Sequence, residues 1–560
     1  MPLIFLFPLL VWGQSRELDC LRQIGDTERA VELARYYLEK EPNDPEKERE
    51  LIRSLAAHRV DGEAARLVRD YFSRYQEDWE LAERVAWASL GKGGGSSSLA
   101  TRVAALVGAV ATNDIQAVDL LLTALKSKEA TLRGVALELA PRLRDRPIQQ
   151  EVERLVRTER VRSVRIAAIR SAALMQMEQL EPLMREIVAD KRASTEERLA
   201  AVVAAAELME DVSDGDLNFL ATHPRAGMRM LACEAIALLD RRDRLDLLPP
   251  LLADSRPDVR LSALSCAALF WEEIPLERIE PLLKDPDSGV AITAAYVMTL
   301  KAPERGRGAF AKYLKSKRPD EARMAAAALA QAGTKGVPLA QEMLRTHSDP
   351  YVKATLALGL LGQRVSIQEA LAHLYTFCMK EPELWMWKTY GNGRFRALAP
   401  SNLGLTPRLA GAREAVDQMA RLEILSLLAL FEHPRAEAAI KKFLKSSSWG
   451  VSGVAAMTLL EEGEPEEALE VVRGLLKDPD EKIRVQAALG LALWGGDPSA
   501  AGVLEGAYPA ADRELKIQLL EALGKIGSRS SLPFLLERLD EPFDTLRVLA
   551  ASALIQCLNH

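Results

Sequence analysis

Aromatic residues are scarce: phenylalanine, tryptophan and tyrosine together make up 5% of the 560 residues. Histidine is scarcer still. The six histidines are scattered, with no His-Glu pair and no His-x-x-x-His on a helix, which excludes the common helical zinc and His-carboxylate di-iron patterns. Five cysteines (Cys20, Cys233, Cys266, Cys378 and Cys557) lie far apart without a Cys-x-x-Cys pair. Metal-ligand spacing is therefore absent, and the odd count argues against a disulfide framework. All five are expected to be compact buried hydrophobes. A basic excess is missing too: 73 basic residues face 80 acidic ones, net −7, so nucleic acid meets no general attraction.

Long hydrophobic runs are also lacking. Leu3 to Trp12 is apolar but too short to span a bilayer as a helix, and no transmembrane segment is expected elsewhere. Small or polar Gly13, Gln14 and Ser15 follow before charge begins at Arg16, a pattern that resembles a secretory signal cleaved near Gly13 or Ser15. Its one departure is a region before the apolar run with no lysine or arginine. Export, periplasmic or secreted, is the expectation; an exposed apolar tail or a misplaced start codon is the other reading. "ELD" before Cys20 lacks the small-residue box of lipoproteins, against lipid anchoring.

What the chain has is a repeat. "DPDEKIRVQAALGLALWG", "SRPDVRLSALSCAALF", "EPFDTLRVLAASALIQ" and "TERVRSVRIAAIRSAALM" each join a polar turn, an aliphatic residue, a basic residue and apolar residues at helical spacing. The basic position recurs at Arg102, Arg133, Arg165, Arg198, Arg229, Arg260, Ala291, Arg323 and Lys353, then at Arg421, Ser452, Arg484, Lys516 and Arg547. Steps within each run are 30 to 33 residues, room for two ordinary helices and two turns. Pro479 and Asp480 suit the turn and cap before the helix that holds Arg484. Alternation with period two is rare, so strands are not expected.

"DPDEKIRVQAALGLALWGG" and "HSDPYVKATLALGLLG" resemble the short HEAT-like repeats, also called phycobilisome-lyase-type, over roughly Leu99 to the end. The resemblance implies an all-α fold, an α-solenoid (superhelix) of two-helix repeats of about 31 residues. It does not fix an activity, since such repeats serve binding proteins, scaffolds, pigment lyases and a few enzymes. Ala30 to Leu90, with Tyr36, Tyr37 and "EPNDPE", is similar to tetratricopeptide repeats. The resulting division is a signal at 1–15, a tetratricopeptide-like region at 16–90 and a flexible Gly/Ser linker at 91–98. A HEAT-like array at 99–384, an irregular basic-aromatic segment at 385–413 and a second array at 414–560 complete it.

One residue type at one repeat phase points to structure. Arg133, Arg165, Arg229, Arg260, Arg323, Arg484 and Arg547 are expected to fasten each repeat to the next through a carboxylate or a helix terminus. "GKGGGS" lacks the Gly-x-x-x-x-Gly-Lys-Ser/Thr spacing of a phosphate loop. "HPRA" at His223 and His433 falls at two different phases, as coincident turns would.

The segment that stands out is "ELWMWKTYGNGRFRALAPSN", Glu383 to Asn402. Phasing places Trp385 at the basic position, 32 residues after Lys353 and 36 before Arg421, so it reads as one repeat whose first helix is broken at Gly391-Asn392-Gly393. Lys388, Arg394, Arg396, Arg408 and Arg413 make a local positive patch without a carboxylate. Two roles suit it: Trp385, Trp387 and Phe395 wedged between repeats, or Trp385, Trp387, Lys388, Tyr390, Arg394, Phe395 and Arg396 as a binding surface. The composite expectation is a non-enzymatic scaffold for a protein or peptide partner, with no cofactor and no metal. The alternative is a lyase or chaperone-like transferase for a pigment or other anionic small molecule.

Overall fold

Carboxylate caps open many of the helices. Asp287 accepts from Val290 N, Asp349 from Tyr351 N and Val352 N, Asp480 from Lys482 N and Asp512 from Leu515 N. Each cap satisfies an amide that the first helical turn leaves orphaned. The computed structural model describes residues 6–190, 192–208, 213–379, 385–391, 393–401 and 472–559, with isolated positions between 421 and 435. Among the described residues the fold is an all-α repeat solenoid with one short hairpin. Contacts divide it into two units, Met1–Val152 with Leu444–His560, and Glu153–Phe443; the division falls within one helix, Arg146–Thr158.

The first unit begins with α1 (Leu6–Gln23), α2 (Thr27–Lys40), α3 (Pro45–Ala57), α4 (Asp61–Arg74) and α5 (Trp79–Gly94). It continues through α6 (Leu99–Ala111), α7 (Ala117–Leu125) and α8 (Ala130–Leu139). With the boundary helix counted as α9, the second unit is built of α10 (Arg162–Leu174), α11 (Glu181–Ala189), α12 (Thr195–Leu208), α13 (Asp214–Thr222) and α14 (Ala226–Leu238). There follow α15 (Leu248–Leu252), α16 (Pro257–Leu269), α17 (Leu276–Ile279), α18 (Ser288–Lys301) and α19 (Pro303–Leu314). Then come α20 (Pro319–Gln331), α21 (Val337–Thr346), α22 (Pro350–Gly362), α23 (Ile367–Met379) and strands β1 (Trp385–Tyr390) and β2 (Phe395–Pro400). The first unit resumes with α24 (Glu481–Gly495), α25 (Ala501–Ala507), α26 (Arg513–Ile526), α27 (Leu532–Arg538) and α28 (Asp544–Asn559).

In the second unit the even-numbered helices α10 to α22 pack side by side in order, and the odd-numbered helices form a second layer against them. The even-numbered layer carries the phased position. Arg229 spans two repeats: Nη1 donates to His223 O at 2.8 Å, while Nε and Nη2 grip Asp254 at 2.5 and 2.9 Å. Arg260 repeats the pattern on Asp254 O at 2.8 Å and on Asp285 at 2.8 and 2.7 Å. Arg323 reaches Asp349 at 3.0 Å, and Arg165 takes Val156 O at 3.2 Å and Glu197 at 3.6 Å. Burial works against the Asp254 carboxylate, yet the bonds from Arg229 and Arg256 N hold it below the usual carboxylate range.

In the first unit Arg133 donates to Ser127 O at 2.9 Å, Arg484 to Asp478 O at 2.8 Å and Arg547 to Glu541 O at 2.7 Å. Helix α28 packs on α5 and α6 as well as α26, and Arg547 Nε reaches Asp61 at 3.3 Å at the start of α4. Lys92 Nζ meets the same carboxylate at 2.5 Å, Thr101 and Thr545 bond at 3.1 Å, and Ser552 Oγ donates to Gly108 O at 2.9 Å.

Three expectations are corrected. Gly91 to Gly94 form no flexible junction but the last turn of α5, where a Cβ on Gly93 would stand 2.5 Å from Val548 and one on Gly94 2.5 Å from Leu120. Glycine there permits close packing. Strands exist after all, and Trp385 opens one rather than a helix. Cys20 is exposed, unlike Cys233, Cys266, Cys378 and Cys557. His223 ends α13 and its Nδ1 accepts from Arg225 N, as a turn residue would; His433, Ser452, Arg408 and Arg413 lie outside the described residues.

Arg260 and Asp285 keep only 11% and 5% of their side-chain surface exposed. Removing one partner of a buried pair strands the other, at a cost of about 3 kcal/mol. Arg260→Ala should therefore lower the opening free energy of α16 and α18 by about that amount, measured by amide hydrogen exchange. Arg256→Ala, which removes a solvent-exposed pair with Asp258, should change it by less than about 0.5 kcal/mol.

Candidate functional site

The segment that the sequence singles out is an antiparallel hairpin. Trp385 pairs with Pro400, Trp387 with Leu398, Thr389 with Arg396 and Tyr390 with Phe395. Gly391 and Gly393 turn the chain with φ of +58° and +89°, conformations that suit residues without a Cβ, and Arg394 N donates to Gly391 O at 3.2 Å.

The hairpin lies on the even-numbered layer of the second unit. β2 packs along α20 and α22, and Leu398 N donates to Thr355 Oγ1 at 3.3 Å. Lys388 Nζ sits 3.0 Å from both oxygens of Asp320, and Tyr390 OH donates to Asp320 Oδ1 at 3.0 Å. Gln331 Nε2 donates to Arg394 O at 3.1 Å. Phe395, fully buried, meets Tyr296 of α18 edge to face at 5.3 Å. Arg394 goes furthest: its guanidinium lies 5.3 Å from the Tyr296 ring, and Nη1 donates to Ser265 O of α16 at 3.1 Å. Behind it, burial pushes the Glu234 carboxyl of α14 up, with Arg394 as the opposing charge. Burial also pushes the Cys266 thiol up to about 12, so it is no ready nucleophile.

The nominated residues thus separate. Trp385 is 2% exposed, 4.6 Å from the Phe377 ring with Arg421 across it at 4.9 Å, and Phe395 is buried likewise. Lys388, Tyr390 and Arg394 are engaged by the helices. Arg396 stacks over Trp387 at 4.3 Å, on the hairpin face opposite Lys388, Tyr390 and Phe395. The acceptors Asp320 and Ser265 O carry no sequence signal of their own. Their only mark is phase, at three residues before and five after the repeat's basic position.

A second site was not foreseen. In the first unit a groove of about 990 Å³ runs between α1, α3, α5 and α7. Ala56, Ala57, Ala88, Gly91 and Gly94 give it a floor of small side chains. Arg22, Arg53 and Arg84, together with Glu80, Glu83, Asp119 and Trp87, also line it. Glu50 at 2.7 Å and Ser54 Oγ at 3.0 Å hold Arg22 in place. The Arg84 guanidinium, 2.9 Å away, holds Glu80 below the usual carboxylate range. Trp87 Nε1 and Arg53 Nε have no acceptor among the described residues. Small residues at helical spacing among charges were the legible signal.

The family model for HEAT repeats matches residues 469–555, which hold Arg484, Lys516 and Arg547. That stretch carries HEAT repeats. Among solved structures the chain is similar to the karyopherin Kap121p bound to the extreme C-terminus of the protein phosphatase Cdc14p, at 11% identity and TM-score 0.36, covering 95% of this chain and 72% of that one. It is also similar to the UNC-45 chaperone, at 12% identity and TM-score 0.30, covering 98% and 83%. No curated protein matches the chain.

Asp320 sets a pH dependence. Burial would raise its pKa, but the bonds from Lys388 and Tyr390 lower it below the usual carboxylate value. A carboxylate with a depressed native pKa stabilises above its unfolded value, near about 4, and that contribution is lost as pH falls through the native one. Hairpin amides should therefore exchange faster, relative to the unfolded-chain rate, at pH 3 than at pH 6. Asp320→Asn should abolish most of that difference and, for a largely exposed pair, speed exchange about two- to five-fold at pH 6.

Proposed function

We propose that this protein is a non-enzymatic repeat scaffold that binds an extended peptide segment of another protein in the groove between α1, α3, α5 and α7. The carrying observation is the groove's construction: a floor of alanine and glycine flanked by fixed charges of both signs. A floor without bulk lets a peptide backbone lie close. The two buried donors, Trp87 Nε1 and Arg53 Nε, match carbonyl or carboxylate acceptors, and an unpaired buried donor is worth about 1–3 kcal/mol once paired. Tryptophan and arginine are also the side chains on which binding energy concentrates.

The apolar run at Leu3–Trp12 supports a site of action outside the cytoplasm. Cleavage near Gly13 or Ser15 would leave Asp19, Arg22 and Gln23 to complete the wall of the groove.

Peptides selected from a random displayed library on the full chain test the reading. Trp87→Ala and Arg84→Glu should each weaken the selected peptides about 30-fold, roughly 2 kcal/mol. Unchanged affinity in both variants, with helix content intact, would refute the groove as the binding site.

A further inference from the structure

The hairpin is an extended segment already docked on a HEAT-type surface, and its contacts describe what that surface accepts. The helices beneath it do not need it to find one another: α16, α18, α20 and α22 pack in succession, each also backed by the odd-numbered layer. What joins hairpin to helices is a set of separable anchors. Phe395 on Tyr296 and Trp385 on Phe377 are the aromatic ones. Lys388 on Asp320 and Arg394 on Ser265 O are the basic ones. An isolated two-stranded hairpin is marginal in water, so this one depends on its seat. The seat, without the hairpin, would present an apolar strip around Tyr296 and Phe377 with two carboxylates, Asp320 and Glu234, along it.

We propose that the face formed by α16, α18, α20 and α22 is a peptide-docking surface held closed by the β1–β2 hairpin. Its partner is an extended segment with aromatic and basic residues in the hairpin's own pattern. Charge points to the chemistry: Asp320 meets Lys388 and Glu234 lies behind Arg394, while the neighbouring Arg323 of the seat is already paired with Asp349. Aromatic spacing decides the form. Trp385 and Phe395 stand at opposite ends of the ladder and occupy separate places, Phe377 on α23 and Tyr296 on α18. A strand spans such a distance with few residues, because each advances the chain about 3.3 Å. The surface is separate from the groove of the first unit and shares no residue with it.

A fluorescent peptide of sequence ELWMWKTYGNGRFRALAPSN, residues 383–402, tests this against the wild-type chain and variants of it. In the first variant, a Gly/Ser segment of equal length replaces residues 385–400. It should bind the peptide at least ten-fold more tightly than the wild type, whose own hairpin competes. Adding Asp320→Lys to that variant should cost at least ten-fold, and a peptide with Lys388 and Arg394 changed to glutamate should bind at least ten-fold more weakly. The second variant, Lys388→Ala with Arg394→Ala, keeps both aromatic anchors and decides the matter if circular dichroism finds the first one unfolded. It should admit the peptide more readily than the wild type and exchange its hairpin amides faster. Absence of binding to every folded variant, or equal binding of the charge-reversed peptide, overturns the proposal. Trp87→Ala should leave all of these measurements unchanged, so failure here and failure of the groove are distinguishable.

Discussion

An arginine that serves two needs at once holds neighbouring repeats together. The end of a helix leaves carbonyls without partners, and the start of the next repeat carries a carboxylate. Arg229 and Arg260 each send one nitrogen to the carbonyl six residues back and two to an aspartate twenty-five residues ahead. Only a planar fork with several donors does both, so lysine is no substitute at these positions. Lys353 illustrates the difference: its single ammonium reaches Arg345 O at 3.5 Å. Where the phase offers Ala291, other groups close the seam. Lys301 reaches back to Glu272 O and Ile274 O at 2.8 Å, and Lys335 reaches Leu300 O.

The same logic holds at α28 with a distant partner. Arg547 keeps its carbonyl, Glu541 O, and its carboxylate is Asp61, 486 positions earlier in the chain and 4% exposed. Lys92 converges on that carboxylate, so two cations share its single charge and its burial is compensated. Because α28 lies against α5 and α6, Gly93 and Gly108 are needed where Val548 and Ser552 approach; a Cβ would come within 2.5 and 2.9 Å. Close packing of this kind leaves no room for added volume.

These features also mark how far the sequence can be read. The period, the two-helix unit and the arginine's role were legible because they recur, and because each depends on residues within one repeat of one another. Asp61 was not, since nothing near it announces a partner so distant in the chain. The hairpin was misread for a different reason. Its phase matched a repeat, and six-residue strands with buried Ala397, Leu398 and Ala399 in a row do not alternate cleanly. The better signal was Gly391 and Gly393 between two aromatic stretches, the composition of a turn that needs positive φ. Composition alone also misled at Gly91–Gly94, where glycine made space for Val548 and Leu120.

One further pattern joins hairpin and terminal helix. An amphipathic helix buries one side, whereas a helix that is apolar all round has to be covered on every side. α18 is buried at each of ten consecutive residues, Val290 to Thr299, and α28 at ten of the eleven from Thr545 to Ile555. Neighbours in a two-layer stack cover a helix on its flanks and on one face, which leaves one face over. For α28 that face is taken by α5 and α6, from the opposite end of the chain. For α18 it is taken at the tip of the hairpin, where Phe395 and the guanidinium of Arg394 lie on Tyr296. An all-round apolar helix in such an array is thus a demand for a third layer. The chain meets it with a β-hairpin in one unit and with its own amino-terminal helices in the other.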